Sequence, residues 1–319
     1  MATKFEGLND DKVIIERTNT TTDNTADTGT TETSGNVSGD RTPTDPDKIT
    51  VQVSNPQAPV ILLFGAPSSG KTMTLVRLAR YLRKNKGYSV SVDPLFVTSK
   101  DVWEYEENTK KFNEMLNTTT ALPGTAYNDF LFIHIHDQKG NLICQILEGA
   151  GEDYFSSSMT GDNRVKKQFP PYMAGIFSRR NKKVWIFLTE PNWAVNQLDR
   201  DEYVERIKNC KNSDNFDPKR DKSIILYNKI DKTQYVLGKG VINERAAKNA
   251  CRNEYNGIFE IFKTNNPLPF FVDKYTCKFV PFSTGKFGDA AKGQLGHYEM
   301  SDDVYPKKLW ETIEQCIKG

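Results

Sequence analysis

The stretch that most constrains this chain is a short apolar run that ends in the pattern G-x-x-x-x-G-K-T, from Gly65 to Thr72. This pattern requires a buried strand, a glycine-rich turn and the start of a helix, and the sequence supplies all three. Between Gly65 and Gly70 the backbone can turn without obstruction and point successive N–H groups at phosphate oxygens. We therefore predict a phosphate-binding loop, in which Lys71 reaches the β- and γ-phosphates and the Thr72 hydroxyl binds Mg²⁺.

Composition sets broad bounds on the rest of the chain. With 319 residues, 37% hydrophobic and 26% charged, it can build one large domain or two small ones. The formal net charge of +2 indicates no particular partner and does not favour nucleic acid. We expect no membrane span and no export, because the sequence has no apolar run of about 18 residues and no signal peptide. The five cysteines lack C-x-x-C spacing, so we expect neither a disulfide framework nor a zinc site, and a cytoplasmic location.

Residues 1–55 differ in composition from everything that follows. Threonine is frequent between Thr18 and Thr33, and apolar residues almost disappear after Ile15. Such a segment cannot bury enough apolar surface to offset the entropy lost on ordering. We predict a disordered, Thr-rich N-terminal tail over 1–55 and a single domain over 56–319.

Strand and helix patterns alternate through that domain. The predicted strands are 59–64, 88–92, 130–136, 142–147, 183–188, 223–227 and 278–282, and helical patterns include 198–207 and 246–262. A tight turn separates 130–136 from 142–147, which indicates a hairpin, and the segment at about 88–117 indicates an inserted strand and helix. We predict an α/β fold: a three-layer sandwich around a mixed, mostly parallel six-stranded sheet with one antiparallel strand.

Two further motifs lie where predicted strands end. Glu148 ends the second hairpin strand and is followed by glycines up to Gly151, a place where a phosphate-loop sheet keeps its second Mg²⁺ group and its γ-phosphate contact. The strand at 223–227 delivers Asn228-Lys229-Ile230-Asp231. The Asp231 carboxylate can accept from two adjacent N–H donors of guanine, which adenine lacks, and discriminate by about 10⁴-fold. An ordinary exit from a strand into a turn is the alternative interpretation.

In this order the elements resemble a GTPase of the TRAFAC class of P-loop proteins, the class that includes the Ras-like switches, and the resemblance covers 57–319. More narrowly, the helix leading into Leu-Pro-Gly-Thr and the run Gly-Ala-Gly-Glu-Asp-Tyr-Phe are similar to bacterial TRAFAC-clade GTPases, some of the double-GTPase type. The family resemblance implies GTP or GDP and Mg²⁺ as ligands, and effector and activating proteins as partners whose identity the sequence does not give.

The resemblance also implies roles for individual residues. Those implied to bind the nucleotide are Gly65, Ser68, Ser69, Gly70, Lys71, Thr72, Asn228, Lys229, Asp231, Ser283 and Thr284. Those implied in catalysis are Lys71, Thr125, Gly151 and Glu152, and those implied to bind the metal are Thr72, Thr125 and Glu148. Thr125 follows a Pro-Gly bend that suits a switch loop, and Thr118, Thr119 and Thr120 are its rivals.

The chain departs from the family pattern at two positions. Glu148 stands where most of the class has Asp, and Glu152 stands where Ras-like enzymes carry glutamine. An ionised glutamate only accepts hydrogen bonds and is repelled by the γ-phosphate, so we expect slow intrinsic hydrolysis of GTP. The alternatives are a nucleotide-gated scaffold without turnover and an ATP-dependent ATPase or kinase.

Three other signals receive a plainer interpretation. His134 and His136 share one face of a strand without a third ligand nearby in sequence, which favours an ordinary polar face over a metal site. The basic run from Arg179 to Lys183 suits the C-terminus of a helix. An arginine finger within the chain remains an alternative, and its candidates are Arg164, Arg179 and Arg180.

Overall fold

The computed structural model describes residues 44–45, 48–99, 102–117, 130–151, 169–192, 197–264, 274–287 and 298–319. All of them belong to one compact unit, Thr42–Gly319. The tail predicted over 1–55 falls largely outside the described residues, and so does most of the segment between the inserted helix and the hairpin.

A seven-stranded sheet forms the centre of this unit. Its strands, in chain order, are β1 Val60–Phe64, β2 Ser89–Val92, β3 Leu131–His136, β4 Leu142–Glu148, β5 Lys183–Thr189, β6 Lys222–Tyr227 and β9 Cys277–Pro281. In space they follow the order β2-β3-β4-β1-β5-β6-β9. Strands β4, β1, β5, β6 and β9 are parallel, and β3 alone runs against its neighbours. The α/β class and the single antiparallel strand are therefore confirmed.

The predicted number of six strands is wrong. The inserted strand β2 does not stand apart but pairs antiparallel with β3, from Ser89 opposite His136 to Val92 opposite Ile133. It thereby extends the sheet by one edge strand.

Helices cover the sheet. They are α1 Lys71–Tyr81, α2 Trp103–Asn117, α3 Pro171–Phe177, α4 Gln197–Asn212, α5 Glu244–Glu254 and α6 Val304–Lys318. Every residue of β1 and β5 is buried, which is the pattern of strands with both faces covered. The helix predicted over 246–262 is wrong in its second half, because α5 ends at Glu254 and the chain turns at Gly257, where φ is +81°, before a short 3₁₀ helix at Glu260–Phe262.

Two small hairpins escaped the sequence patterns. Strands β7 Val236–Gly238 and β8 Val241–Ile242 form one, and β10 Gly285–Phe287 and β11 Tyr298–Met300 form the other. Strands this short carry too little alternation to be recognised. The second hairpin follows directly on Ser283 and Thr284, so it lies next to a predicted binding loop.

The core agrees with the apolar patterns of the sequence. On α6 the apolar residues Leu309, Trp310, Ile313 and Cys316 are buried, and Ile317 is partly buried. The five cysteines are free thiols. No helix among the described residues is long and apolar enough to cross a membrane.

Candidate functional site

The predicted site residues that the structure describes lie at one edge of the sheet. Because β1, β4, β5, β6 and β9 are parallel, their carboxyl ends share that edge, which is where open α/β sheets bind ligands. Strand β1 leads into the loop Gly65–Gly70, β4 ends at Glu148, β6 leads to Asn228, and β9 leads to Ser283.

The loop between β1 and α1 is tightly turned. Ser68 and Gly70 both have left-handed backbones, with φ of 58° and 87°, and α1 begins at the next residue, Lys71. The Lys71 side chain is buried and folds back across the loop, where its Nζ donates to the carbonyls of Gly65 and Ala66, each at 3.1 Å. An ammonium group is therefore held over the concave side of a loop at the N-terminus of a helix, an arrangement suited to an anion.

Asn228 ties the end of β6 to this loop. Its side chain is fully buried, and Nδ2 donates to the Ser69 carbonyl at 2.9 Å. A Cβ added at Gly70 would lie 2.5 Å from this Nδ2, so only glycine leaves room for the contact. The side-chain amide of Asn228 thus holds the loop in place.

Lys229 makes a second tie and has a partner that the sequence did not reveal. Its Nζ donates to the Ser68 carbonyl at 2.9 Å and also contacts the Glu190 carboxylate. Glu190 follows β5 and is held in turn by the buried Tyr255, whose hydroxyl accepts from the Glu190 N–H and donates to its C=O, both at 3.0 Å. The Lys229 ammonium group is therefore held by two partners, the Ser68 carbonyl and the Glu190 carboxylate.

Asp231 is oriented by the loop after β9. The Ser283 hydroxyl donates to Asp231 Oδ1 at 2.5 Å, and the Ile230 N–H donates to the Phe282 carbonyl at 3.1 Å. Thr284, the next residue, is buried. These bonds bring the two predicted base-binding segments together.

Glu148 and Gly151 approach the loop from β4. The Thr72 hydroxyl donates to the buried carboxylate of Glu148, so a hydroxyl and a carboxylate oxygen meet beside the first turn of α1. A Cβ at Gly151 would lie 2.3 Å from the Pro67 nitrogen, so this backbone packs directly against the loop. Hydroxyl and carboxylate oxygens are the ligands that Mg²⁺ prefers, and these residues fit such an ion.

Within the site, the Ser69 hydroxyl oxygen and Asn228 Oδ1 are buried without a hydrogen-bond partner among the described residues. Leaving such atoms unpaired costs about 1–3 kcal/mol each, which a polar ligand or water would offset. With the glycine positions that admit no side chain, they indicate a cradle shaped for a polar ligand.

The remaining predictions concern residues outside the described ranges and the two histidines of β3. Thr125, its three rival threonines, Glu152 and Arg164 lie outside the described residues. His134 contacts the buried Asp93 carboxylate at 3.2 Å, and burial lowers the pKa of His134. In the part of the chain that the structure describes, no three or more His, Cys, Asp or Glu side chains are grouped to hold a metal ion.

Comparison with known proteins gives matches to solved structures alone. No protein-family model matches the chain, and no curated protein does. A nucleolar GTP-binding protein of Plasmodium falciparum is 16% identical, with a TM-score of 0.40 over 84% of this chain and 90% of that one. The GTP-bound Ski7 GTPase-like domain of S. cerevisiae is 15% identical, with a TM-score of 0.39 over 83% of this chain and 51% of that one.

The GDP-bound Roco2 of Methanosarcina barkeri is similar at 11% identity, with a TM-score of 0.34 over 85% of this chain and 51% of that one. This chain therefore spans about half the length of the Ski7 and Roco2 chains. All three are GTP-binding or nucleotide-bound by their descriptions, but similarities of this extent carry no inference about activity, and the fold is established by strand order.

The first prediction concerns the packing of Gly70 against Asn228. A methyl group there would displace Nδ2 and break its bond to Ser69, and would also place a side chain on a left-handed backbone. We expect Gly70→Ala to lower the free energy of unfolding by about 3 kcal/mol, of which about 1 kcal/mol is backbone strain. Urea unfolding measures it.

Gly140→Ala is the matched control for this substitution. Gly140 has a similar φ of +82°, but a Cβ there would have nothing within 4 Å. We expect it to cost only the strain, about 1 kcal/mol. Equal losses in the two variants would show that the Asn228 contact does not constrain the loop.

Proposed function

We propose that this protein binds GTP with Mg²⁺, hydrolyses it slowly to GDP and phosphate, and acts as a nucleotide-dependent switch. One observation carries the proposal. Asn228 and Lys229 donate to the carbonyls of Ser69 and Ser68, so the motif that reads a base and the loop that holds phosphates form one continuous site. The distance between these two elements is thereby fixed by direct bonds.

Base selection is assigned to Asp231. Its carboxylate is held by Ser283, which leaves acceptor positions for the two adjacent N–H donors on the edge of guanine. Adenine has no such pair, and a site built for these bonds rejects a ligand that leaves them unmade. The Lys229 stem, fixed by Glu190, covers one face of the base.

The phosphate chemistry is assigned to the loop and its neighbours. Lys71 and the loop N–H groups stabilise charge that develops on the leaving group, and the Gly151 N–H contacts the γ-phosphate. Thr72, Glu148 and, in the triphosphate state, Thr125 hold the metal. When bound, Mg²⁺ neutralises charge on the β- and γ-phosphates. We propose a cytoplasmic location. We also propose that its partners, an effector and an activating protein, distinguish the GTP-bound state from the GDP-bound state.

A scaffold that binds nucleotide without turnover is the second candidate. It is favoured by the same two departures from the family, Glu148 and Glu152, because one weakens a metal contact and the other cannot donate to the transition state. An ATP-dependent ATPase or kinase is the third, and the Asn228–Asp231 motif opposes it.

The decisive experiment compares GTP with ATP. Calorimetric titration with non-hydrolysable analogues of each, with and without Mg²⁺, should show tight binding of the guanine compound alone. Asp231→Ala should reduce that affinity by at least about a hundredfold, because both base contacts are lost. Equal binding of the ATP analogue would refute the base assignment, and binding of neither would refute the nucleotide site.

The role of Glu148 can be isolated by varying its charge and length separately. We expect Glu148→Gln to weaken Mg²⁺-dependent binding of the GTP analogue by about tenfold, since one charge-assisted contact is removed. Glu148→Asp is the control, because it keeps the carboxylate. If Glu148→Gln leaves the difference between titrations with and without Mg²⁺ intact, Glu148 does not serve the metal.

Turnover separates the switch from the scaffold. Multiple-turnover phosphate release from GTP should be measurable but slow, and Glu152→Gln should accelerate it, because glutamine both accepts from the attacking water and donates to the transition state. An unchanged rate would make Glu152 a bystander. The absence of any release above a Lys71→Ala control would favour the scaffold.

A further inference from the structure

The helix that begins at Lys71 is bonded to a second part of the chain through a buried arginine. The Arg77 side chain is only 3% exposed. Its Nε donates to the Ser301 hydroxyl at 3.2 Å, and one of its terminal nitrogens donates to the Ser301 carbonyl at 2.8 Å and contacts the Asp303 carboxylate. Three acceptors thus fix the guanidinium between α1 and the residues that lead into α6.

Those residues in turn hold the loop of Ser283 and Thr284. The Thr284 carbonyl accepts from the Tyr298 hydroxyl and, at 3.3 Å, from the Ser301 N–H. Gly285 follows with φ of +131°, and a Cβ there would lie 2.2 Å from the Glu299 carbonyl oxygen. The β10–β11 hairpin is therefore packed as closely behind Thr284 as a backbone allows.

We propose that Tyr298 and Arg77 are positioning residues for the base-binding loop, and that through them the β10–β11 hairpin sets how long a guanine nucleotide stays bound. The inference rests on the proposed function. Arg77 joins Ser301 to the phosphate-loop helix, and Tyr298 joins the hairpin to Thr284. Ser283, the neighbour of Thr284, is the residue that orients Asp231, so a loosened loop loses its hold on the base.

The charges around Arg77 and Tyr298 favour contacts that persist near neutral pH. Burial acts to raise the pKa of Asp303, but hydrogen bonding to Arg77 and its positive charge outweigh burial and lower it, so the carboxylate is ionised near neutral pH. Asn85 donates to its other oxygen at 3.2 Å. Burial raises the pKa of Tyr298, so its hydroxyl keeps the proton that it donates to Thr284.

The hydrogen bond from Tyr298 to the Thr284 carbonyl can be tested by removing the hydroxyl oxygen of Tyr298. Tyr298→Phe keeps the ring, over which Arg80 lies at 5.6 Å, and deletes the donor to Thr284. The probe is a fluorescent methylanthraniloyl derivative of GDP, chased with excess GDP in the presence of Mg²⁺. We expect Tyr298→Phe to release it about tenfold faster than the wild type, the factor expected for one hydrogen bond to a buried carbonyl.

Tyr81→Phe is the matched control. Tyr81 lies on α1 and is buried, and no hydrogen bond of its hydroxyl is found among the described residues. We expect its release rate to equal that of the wild type, and Tyr298→Phe to lower the melting temperature by no more than about 5 °C. Hydrogen exchange of the nucleotide-free protein, followed by mass spectrometry, should show faster exchange over 282–287 in Tyr298→Phe alone.

Ser301→Ala provides a second variant that removes one of the Arg77 contacts without leaving a buried charge unpaired. It should accelerate release in the same direction by a smaller factor. If the wild type binds the probe and Tyr298→Phe releases it at the wild-type rate, the positioning role of Tyr298 is refuted and the proposed function stands. Equal acceleration in Tyr81→Phe would show a general loss of stability and would also refute the positioning role. A wild type that does not bind the probe overturns both.

Discussion

The two hydrogen bonds from Asn228 and Lys229 to the carbonyls of Ser69 and Ser68 are the contacts on which the site depends. Both sides of this contact are strained, since Ser68 in the loop and Lys229 after β6 have left-handed backbones without being glycine. Such residues cost about 1–3 kcal/mol each and persist only where their surroundings over-determine them. Here each strained residue is bonded to the other, so the conformation that one needs is the conformation that the other stabilises.

The sequence predicted most of the sheet because its strands are buried on both faces and appear as apolar runs. It failed where structure depends on neighbours far away in the chain. Strand β2 pairs with β3 through backbone groups that carry no sequence signal, so six strands were expected where there are seven. The helix expected over 246–262 ends at Glu254, because apolar spacing continues past the point where the chain turns at Gly257 with a positive φ.

In the candidate site, too, residues that belong to local motifs could be predicted, and residues defined by distant partners could not. Residues within motifs, such as Lys71, Asn228 and Asp231, could be predicted because a local pattern specifies them. Glu190, Tyr298 and Arg77 were missed because residues of these types are common, and only their distant partners distinguish them. Glu190 had one usable signal: it directly follows a buried parallel strand, a position close to the one that identified Glu148.

The spacing of these contacts along the chain has a consequence for synthesis. Asn228 lies 159 residues from its partner Ser69, and Arg77 lies 224 residues from Ser301. A ribosome adds about 5–20 residues per second. The phosphate loop is therefore made roughly 10 seconds or more before Ser301, the last residue of these contacts. Until Asn228 and Lys229 have been made, the loop lacks the bonds that they donate to it. Under the proposed function, the site is therefore complete only after the chain through residue 301 has been made and folded.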